Sequence, residues 1–182
     1  MGKRYPDLQP DQIGFIGQQH LYFVGTAAPG TRVNLSPKGM DSLRILGPAR
    51  ILWLNLTGSG NETAAHLALD PRITLMWCSF TTHPLILRAY GTARAIHLGD
   101  ADWPELKAQL PDQPGARQII DVRIDLVQSS CGFAVPFMDF REERPVLLNW
   151  ATDKGPDGLR DYWANRNRET IDGIATGIEA NL

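Results

Sequence analysis

The middle of the chain carries the period-two pattern of β-strands. Arg32-Val33-Asn34-Leu35-Ser36 sets Val33 and Leu35 on one side and Arg32, Asn34 and Ser36 on the other. Ile51 to Thr57 alternates too, with Leu52, Leu54 and Leu56 against Trp53, Asn55 and Thr57. Leu21 to Ala27 is a short apolar run stopped by Pro29-Gly30, and Ile73 to Phe80 is a third clear strand. Leu85 to Ile96 is the longest. One of its faces (Leu85, Leu87, Ala89, Gly91, Ala93, Ala95) is small and apolar, which suits a tightly curved sheet. Val122 to Val127 reads as a late strand, and Pro37-Lys38-Gly39 reads as the turn that ends the Arg32 strand.

Helical signals are fewer. Asn61 to Leu69 predicts a helix with Ser59 or Asn61 as cap and Asp70-Pro71 as stop. Asp102 to Lys107 opens with an acidic cap and a proline in the first turn. Pro114 to Ile119 predicts another short helix, and Leu159 to Asn167 a last one beyond an Asp153–Gly158 loop. The links between strands are too short for crossover helices, which argues against a doubly wound fold. The expectation is a mainly β protein with flanking helices, built on about six antiparallel strands in a closed or half-closed barrel. That barrel takes residues 1–135. Residues 136–182 form a helical and loop extension packed on the barrel or on a dimer partner.

Composition narrows the class. With 182 residues, 43% apolar and 21% charged, the chain suits one folded domain and excludes extensive disorder. A net charge of -2 offers no electrostatic footprint for nucleic acid and no basic face for a membrane. No apolar run approaches the roughly 20 residues that span a bilayer, and Met1 to Asp7 lacks the apolar stretch of a signal peptide. The expectation is a cytoplasmic protein with reduced thiols. Cys78 and Cys131 are too few for a disulfide framework or a four-ligand zinc site, and Cys131 is expected to be a buried structural thiol. His20, His66, His83 and His97 form no pair at metal-ligand spacing, so no metal site is expected. The five tryptophans, at 53, 77, 103, 150 and 163, read as core and interface.

Two segments carry candidate chemistry. Arg32, Asn34 and Ser36 share a strand face and Lys38 follows them in a glycine-bounded turn, which makes a plausible anion site; the plain alternative is an edge strand with its wet face outward. Thr57-Gly58-Ser59-Gly60-Asn61-Glu62-Thr63 is a glycine-rich corner leading into a helix. It offers free backbone N–H groups, the positive end of a helix dipole and the hydroxyls of Thr57, Ser59 and Thr63. The alternative there is a capped turn, because a lone Gly-x-Gly matches no longer nucleotide fingerprint.

The order of these segments, followed by Asp70-Pro71-Arg72-Ile73-Thr74-Leu75-Met76, resembles the pyridoxamine 5′-phosphate oxidase-like FMN-binding split barrels over residues 15 to 130. The tail, with Ser130-Cys131-Gly132-Phe133-Ala134-Val135-Pro136 and Asn167-x-x-Thr170-Ile171-Asp172-Gly173, is similar to a flavin-binding subgroup. The resemblance implies a six-stranded antiparallel split β-barrel and a homodimer with two FMN sites at the interface. It implies a flavin phosphate held by Asn34, Ser36, Lys38, Thr57, Ser59, Asn61 and Thr63, with Lys38 as first cation and Arg32 as second, and a ring covered by Trp150 or Trp163 of the partner copy. It implies oxidoreductase activity on a small molecule. The pattern departs where the oxidase has an Arg-Lys pair at the helix start, here Glu62 and Thr63, and where it has a flavin-contacting glutamine, near Ile86 here. Its Arg-Leu-x-Pro-like close has no counterpart in Glu179-Ala180-Asn181-Leu182. The barrel therefore carries over better than vitamin-B6 oxidation does. Haem or a deazaflavin as the flat ligand, and a dimer with an emptied site, are the competing readings.

Overall fold

The computed structural model describes residues 2–182. Its strands are β1 (Lys3–Tyr5), β2 (Tyr22–Thr26), β3 (Asn34–Lys38), β4 (Leu43–Gly47), β5 (Arg50–Leu56), β6 (Arg72–Cys78), β7 (Ile86–His97) and β8 (Ala116–Ser130). The helices are α1 (Pro10–Ile16), α2 (Glu62–Leu69), α3 (Trp103–Lys107) and α4 (Val146–Arg166), and a 3-10 turn spans Ile178–Asn181. The sheet order is β3-β2-β6-β7-β8-β5-β4, all antiparallel, with β1 added beside β8. β3 and β4 are the free edges, so the barrel is split between them.

The sheet has eight strands rather than six. The two additional strands have weak patterns: β1 is three residues, Lys-Arg-Tyr, and β4 is a short Leu-Arg-Ile-Leu-Gly. α1 is a further addition; there Gln12 Oε1 accepts the Gln9 backbone N–H at 3.0 Å. The expected helix over Pro114 to Ile119 is instead the start of β8. Gly115 turns the chain at φ 80°, and Gln118 then pairs with Asn55 of β5 both in backbone register and through their side chains, at 2.9 Å. β3 does not stop before Pro37 but runs through it to Lys38. A proline there is tolerated because β3 is an edge strand and its missing N–H has no second neighbour to serve. The Asp153–Gly158 loop is a break inside α4, where Gly155 takes φ 63° ahead of Pro156. Neither Asn61 nor Asp102 makes a side-chain cap bond.

The barrel interior is filled by a cluster that includes Val24, Ile51, Trp53, Leu75, Trp77, Leu87 and Ile120. Inward residues of β2, β5, β6, β7 and β8 supply most of it, with Leu87, Ala89 and Ala93 inward as the small face of β7 requires. A second cluster packs α3 on Leu52, Leu54, Ile96 and Ile119. A third joins Ala151, Leu159, Trp163 and Ile178 of the C-terminal arm, with Leu98 of the barrel against it.

Two strands approach closely at Gly91, where the β7–β8 register shifts beside Tyr90. A Cβ at Gly91 would overlap the backbone carbonyl of Arg123, which a ladder strand cannot withdraw. Gly91→Ala is expected to destabilise by about 1–3 kcal/mol. Thermal unfolding then falls by roughly 2–4 °C per kcal/mol. Gly14→Ala, in α1 with nothing within 4 Å of the new methyl, is expected to hold or raise the midpoint. An unchanged midpoint for Gly91→Ala would contradict this register.

Candidate functional site

The split in the barrel opens a cavity of about 350 Å³ between β3, β5, the Thr57–Asn61 corner, the start of α2 and β8. A volume of this size lies in the range of small-molecule sites. Asn34, Ser36 and Lys38 line it from β3, Thr57, Ser59 and Asn61 from the corner, and Thr63 from α2. The strand period places the first three on one face, and the two glycines let the corner fold back beside them. Trp53, Glu62, Arg117 and Leu147 complete the wall.

The lining is rich in donors. Ser36 Oγ, Asn61 Nδ2 and Arg117 Nε are buried and have no partner among the described residues. A buried polar group left unpaired costs about 1–3 kcal/mol, and most such groups in folded proteins find partners. Lys38 sits with its ammonium 4.8 Å from the centre of the Trp53 ring. Burial, and then the charge of Arg117, lower its pKa to about 8, against an opposing pull from Glu62. Arg117 is 3% exposed, and burial lowers its pKa to about 10 despite Glu62 and Tyr162. Among the described residues neither cation has a carboxylate within ion-pair distance. Instead Arg117 donates to the Asn167 carbonyl oxygen Oδ1 at 2.6 Å and to the Gly60 carbonyl at 2.8 Å. The first-turn N–H groups of α2 add the partial positive charge of a helix start. Glu62 is the one acidic group in the lining, its carboxylate folded back against Gly60. The arrangement can hold an anion.

Several expected roles change. Thr57 lines the cavity, but its hydroxyl donates to the Gly115 carbonyl at 2.7 Å and accepts from Trp163 Nε1 at 2.9 Å, so it has no hydrogen left for a ligand. Asn34 donates to Thr63 Oγ1 at 3.1 Å and to Thr26 Oγ1 at 3.3 Å, tying β3 to α2. Arg32 lies outside the lining: it precedes β3, its side chain is 73% exposed, and it pairs with Asp172. Trp163 is buried within its own chain through the Thr57 bond, which removes it as cover for a partner's ligand. Cys131 is exposed rather than buried, whereas Cys78 is buried and its thiol pKa is raised by desolvation. Arg117 is a site residue that the sequence does not single out. Its only signal is a lone cation ahead of the Gln118-Ile119-Ile120-Asp121-Val122 run, in a segment whose local pattern is that of a helix. Among the described residues no group of three or more His, Cys, Asp or Glu is placed to hold a metal, and no helix is long and apolar enough to cross a membrane.

No family model matches the sequence. A curated relative does: the chain is 32% identical over 190 residues to the pyridoxamine 5′-phosphate oxidase family protein ustO of Aspergillus flavus, covering 93% of this chain and 76% of that protein. The chain belongs to the pyridoxamine 5′-phosphate oxidase family. The fold agrees. A candidate pyridoxamine 5′-phosphate oxidase from Lactobacillus delbrueckii superposes with a TM-score of 0.55 at 19% identity, over 68% of this chain and 94% of its own. A point variant of HupZ from Group A Streptococcus gives 0.53 at 16% identity, over 68% and 99%. At these identities the structures speak for the split barrel alone.

In this family member the cavity carries a cost when empty. Below pH 8 the folded state must hold a desolvated ammonium at Lys38. Between its folded pKa of about 8 and the ordinary 10.5, the folded state binds fewer protons than the unfolded one, so stability rises with pH across that window. Lys38→Met keeps the stem and removes the charge. It is expected to stabilise the ligand-free protein by about 1–3 kcal/mol at pH 7 and to flatten the rise above pH 8. Urea unfolding at pH 7, 8 and 9.5 measures both. A destabilised Lys38→Met would show the ammonium to be well compensated.

Proposed function

We propose that the chain binds FMN in the split of the barrel and serves as an FMN-dependent oxidoreductase on a small molecule. The observation that carries this reading is the buried, donor-rich lining, with two cations and no ion-paired carboxylate, in a member of the pyridoxamine 5′-phosphate oxidase family. A phosphomonoester carries close to two negative charges and three strong acceptor oxygens, which suits that donor set. Lys38 and Arg117 would neutralise it, and Ser36, Ser59, Asn61 and the first-turn N–H groups of α2 would hydrogen-bond it, while Asn34 and Thr63 brace β3 against the helix. Trp53 and Leu147 offer apolar surface beside it. The bound flavin supplies hydride acceptance, and the protein supplies binding, orientation and charge. Glu62, where the oxidase has a cation, opposes the phosphate, so Lys38 and Arg117 would have to supply the compensating charge.

The same reading makes the protein a homodimer. Val33, Leu35, Phe133, Phe137 and Met138 are exposed, with Phe133 at 83%, and a second copy would cover them. It also places the protein in the cytoplasm, in keeping with two free cysteines.

Titration of FMN and riboflavin against the wild type and Lys38→Met tests the phosphate placement. A charge-assisted contact is worth roughly 1.5–3 kcal/mol, so FMN binding is expected to weaken about ten- to a hundredfold and riboflavin binding to stay nearly constant. An equal loss for both ligands would put the phosphate elsewhere. The absorbance of the purified protein separates a flavin from a haem. Sedimentation at micromolar concentration is expected to show a dimer, and a monomer would remove the interface.

A further inference from the structure

Arg117 is oriented by an amide rather than by a carboxylate. Its Nη1 donates to Asn167 Oδ1 at 2.6 Å, its Nη2 donates to the Gly60 carbonyl, and its Nε is buried and unpaired. The other end of the Asn167 amide donates to the Gly58 carbonyl at 3.1 Å. One side chain of 0% exposure therefore ties the guanidinium to the glycine-rich corner. The choice of an amide matters. It accepts from the guanidinium without cancelling its charge, and it still has N–H donors for the carbonyl of the corner. A carboxylate at the same point would neutralise Arg117 and face the Gly58 carbonyl with no donor.

Asn167 is itself held through both of its backbone polar groups. It follows the last turn of α4, with its N–H bonded to the Trp163 carbonyl at 2.9 Å. Its own carbonyl accepts from the Thr176 hydroxyl. Trp163 is anchored in turn on Thr57. Farther along, Asn181 Nδ2 donates to the Arg117 carbonyl. The C-terminal arm thus grips both the side chain and the backbone of the buried cation.

We propose that Asn167 is a positioning residue, which aims Arg117 at the anion bound in the cavity while leaving the guanidinium charge uncancelled. This rests on the phosphate placement proposed above. It makes the C-terminal arm part of the binding site, although Asn167 itself is absent from the cavity wall.

The experiment compares wild type, Asn167→Asp and Asn167→Ala by thermal midpoint, by affinity for FMN and riboflavin, and by the midpoint shift that inorganic phosphate produces. The ratio of FMN to riboflavin affinity isolates the phosphate, so a loss of general stability leaves it unmoved. Asn167→Asp exchanges the bond to the Gly58 carbonyl for an ion pair with Arg117, so it is expected to fold, to lower that ratio at least tenfold and to abolish the shift with inorganic phosphate. Asn167→Ala is expected to lower the ratio as well, because the guanidinium is then free to turn. If both variants fold and keep the wild-type ratio, the positioning role is overturned and the phosphate placement stands. If the wild type itself does not prefer FMN, the placement and the positioning role fall together. Should neither Asn167 variant fold, Thr176→Val removes only the hydroxyl behind the Asn167 carbonyl. It is then expected to lower the ratio by a smaller factor, and an unchanged ratio would count against the proposal.

Discussion

Two like charges whose side chains are held largely out of solvent in one cleft shape this protein. Lys38 and Arg117 both line the split of the barrel, burial works against the charge of each, and the Arg117 charge adds to the effect at Lys38. A chain does not collapse around such a pair by itself, because desolvating charge is unfavourable. The surrounding sheet and arm impose the arrangement. Lys38 lies on β3, whose register is set by pairing with β2 from Tyr22–Lys38 to Thr26–Asn34. Arg117 lies on β8, paired with β5 on one side and joined to β7 from Gln118 onward on the other.

The compensation is neutral and distributed. Trp53 lies beneath the ammonium, an amide and a carbonyl hold the guanidinium, and the one acidic neighbour is folded onto Gly60. Elsewhere the same chain does pair its buried charge: Asp121, 3% exposed, takes Arg50 at 2.9 and 3.0 Å. The contrast within one sheet separates a structural ion pair from a cleft whose cations are kept available. Unfavourable burial of this kind, retained against the interest of stability, is what binding sites display.

The C-terminal arm has two tasks that one set of contacts performs. Ala151, Leu159, Trp163 and Ile178 bury apolar surface, which makes the arm dock. Its polar groups, Trp163 Nε1, Asn167 and Asn181, then end on Thr57, the corner and Arg117. Burying these groups would be costly without partners, so docking and the geometry of the corner are coupled.

Local pattern alone determined the strand-rich architecture, the small inward face of β7, the α2 helix and its stop at Asp70-Pro71, and the polar positions of β3 and the corner. These are properties of period and turn chemistry, which act over a few residues. Tertiary structure alone decided the rest. Arg117 was hidden in a segment whose local signal favoured a helix, until pairing with β5 made it a strand. Arg32 and Lys38 look alike in sequence, yet one meets Asp172 across 140 positions and the other meets Trp53 and Arg117. Thr57 looks like a free hydroxyl, yet Trp163, 106 positions away, and Gly115 consume it. The availability of a donor depends on every partner that folding brings to it, and no period in the sequence encodes partners so distant.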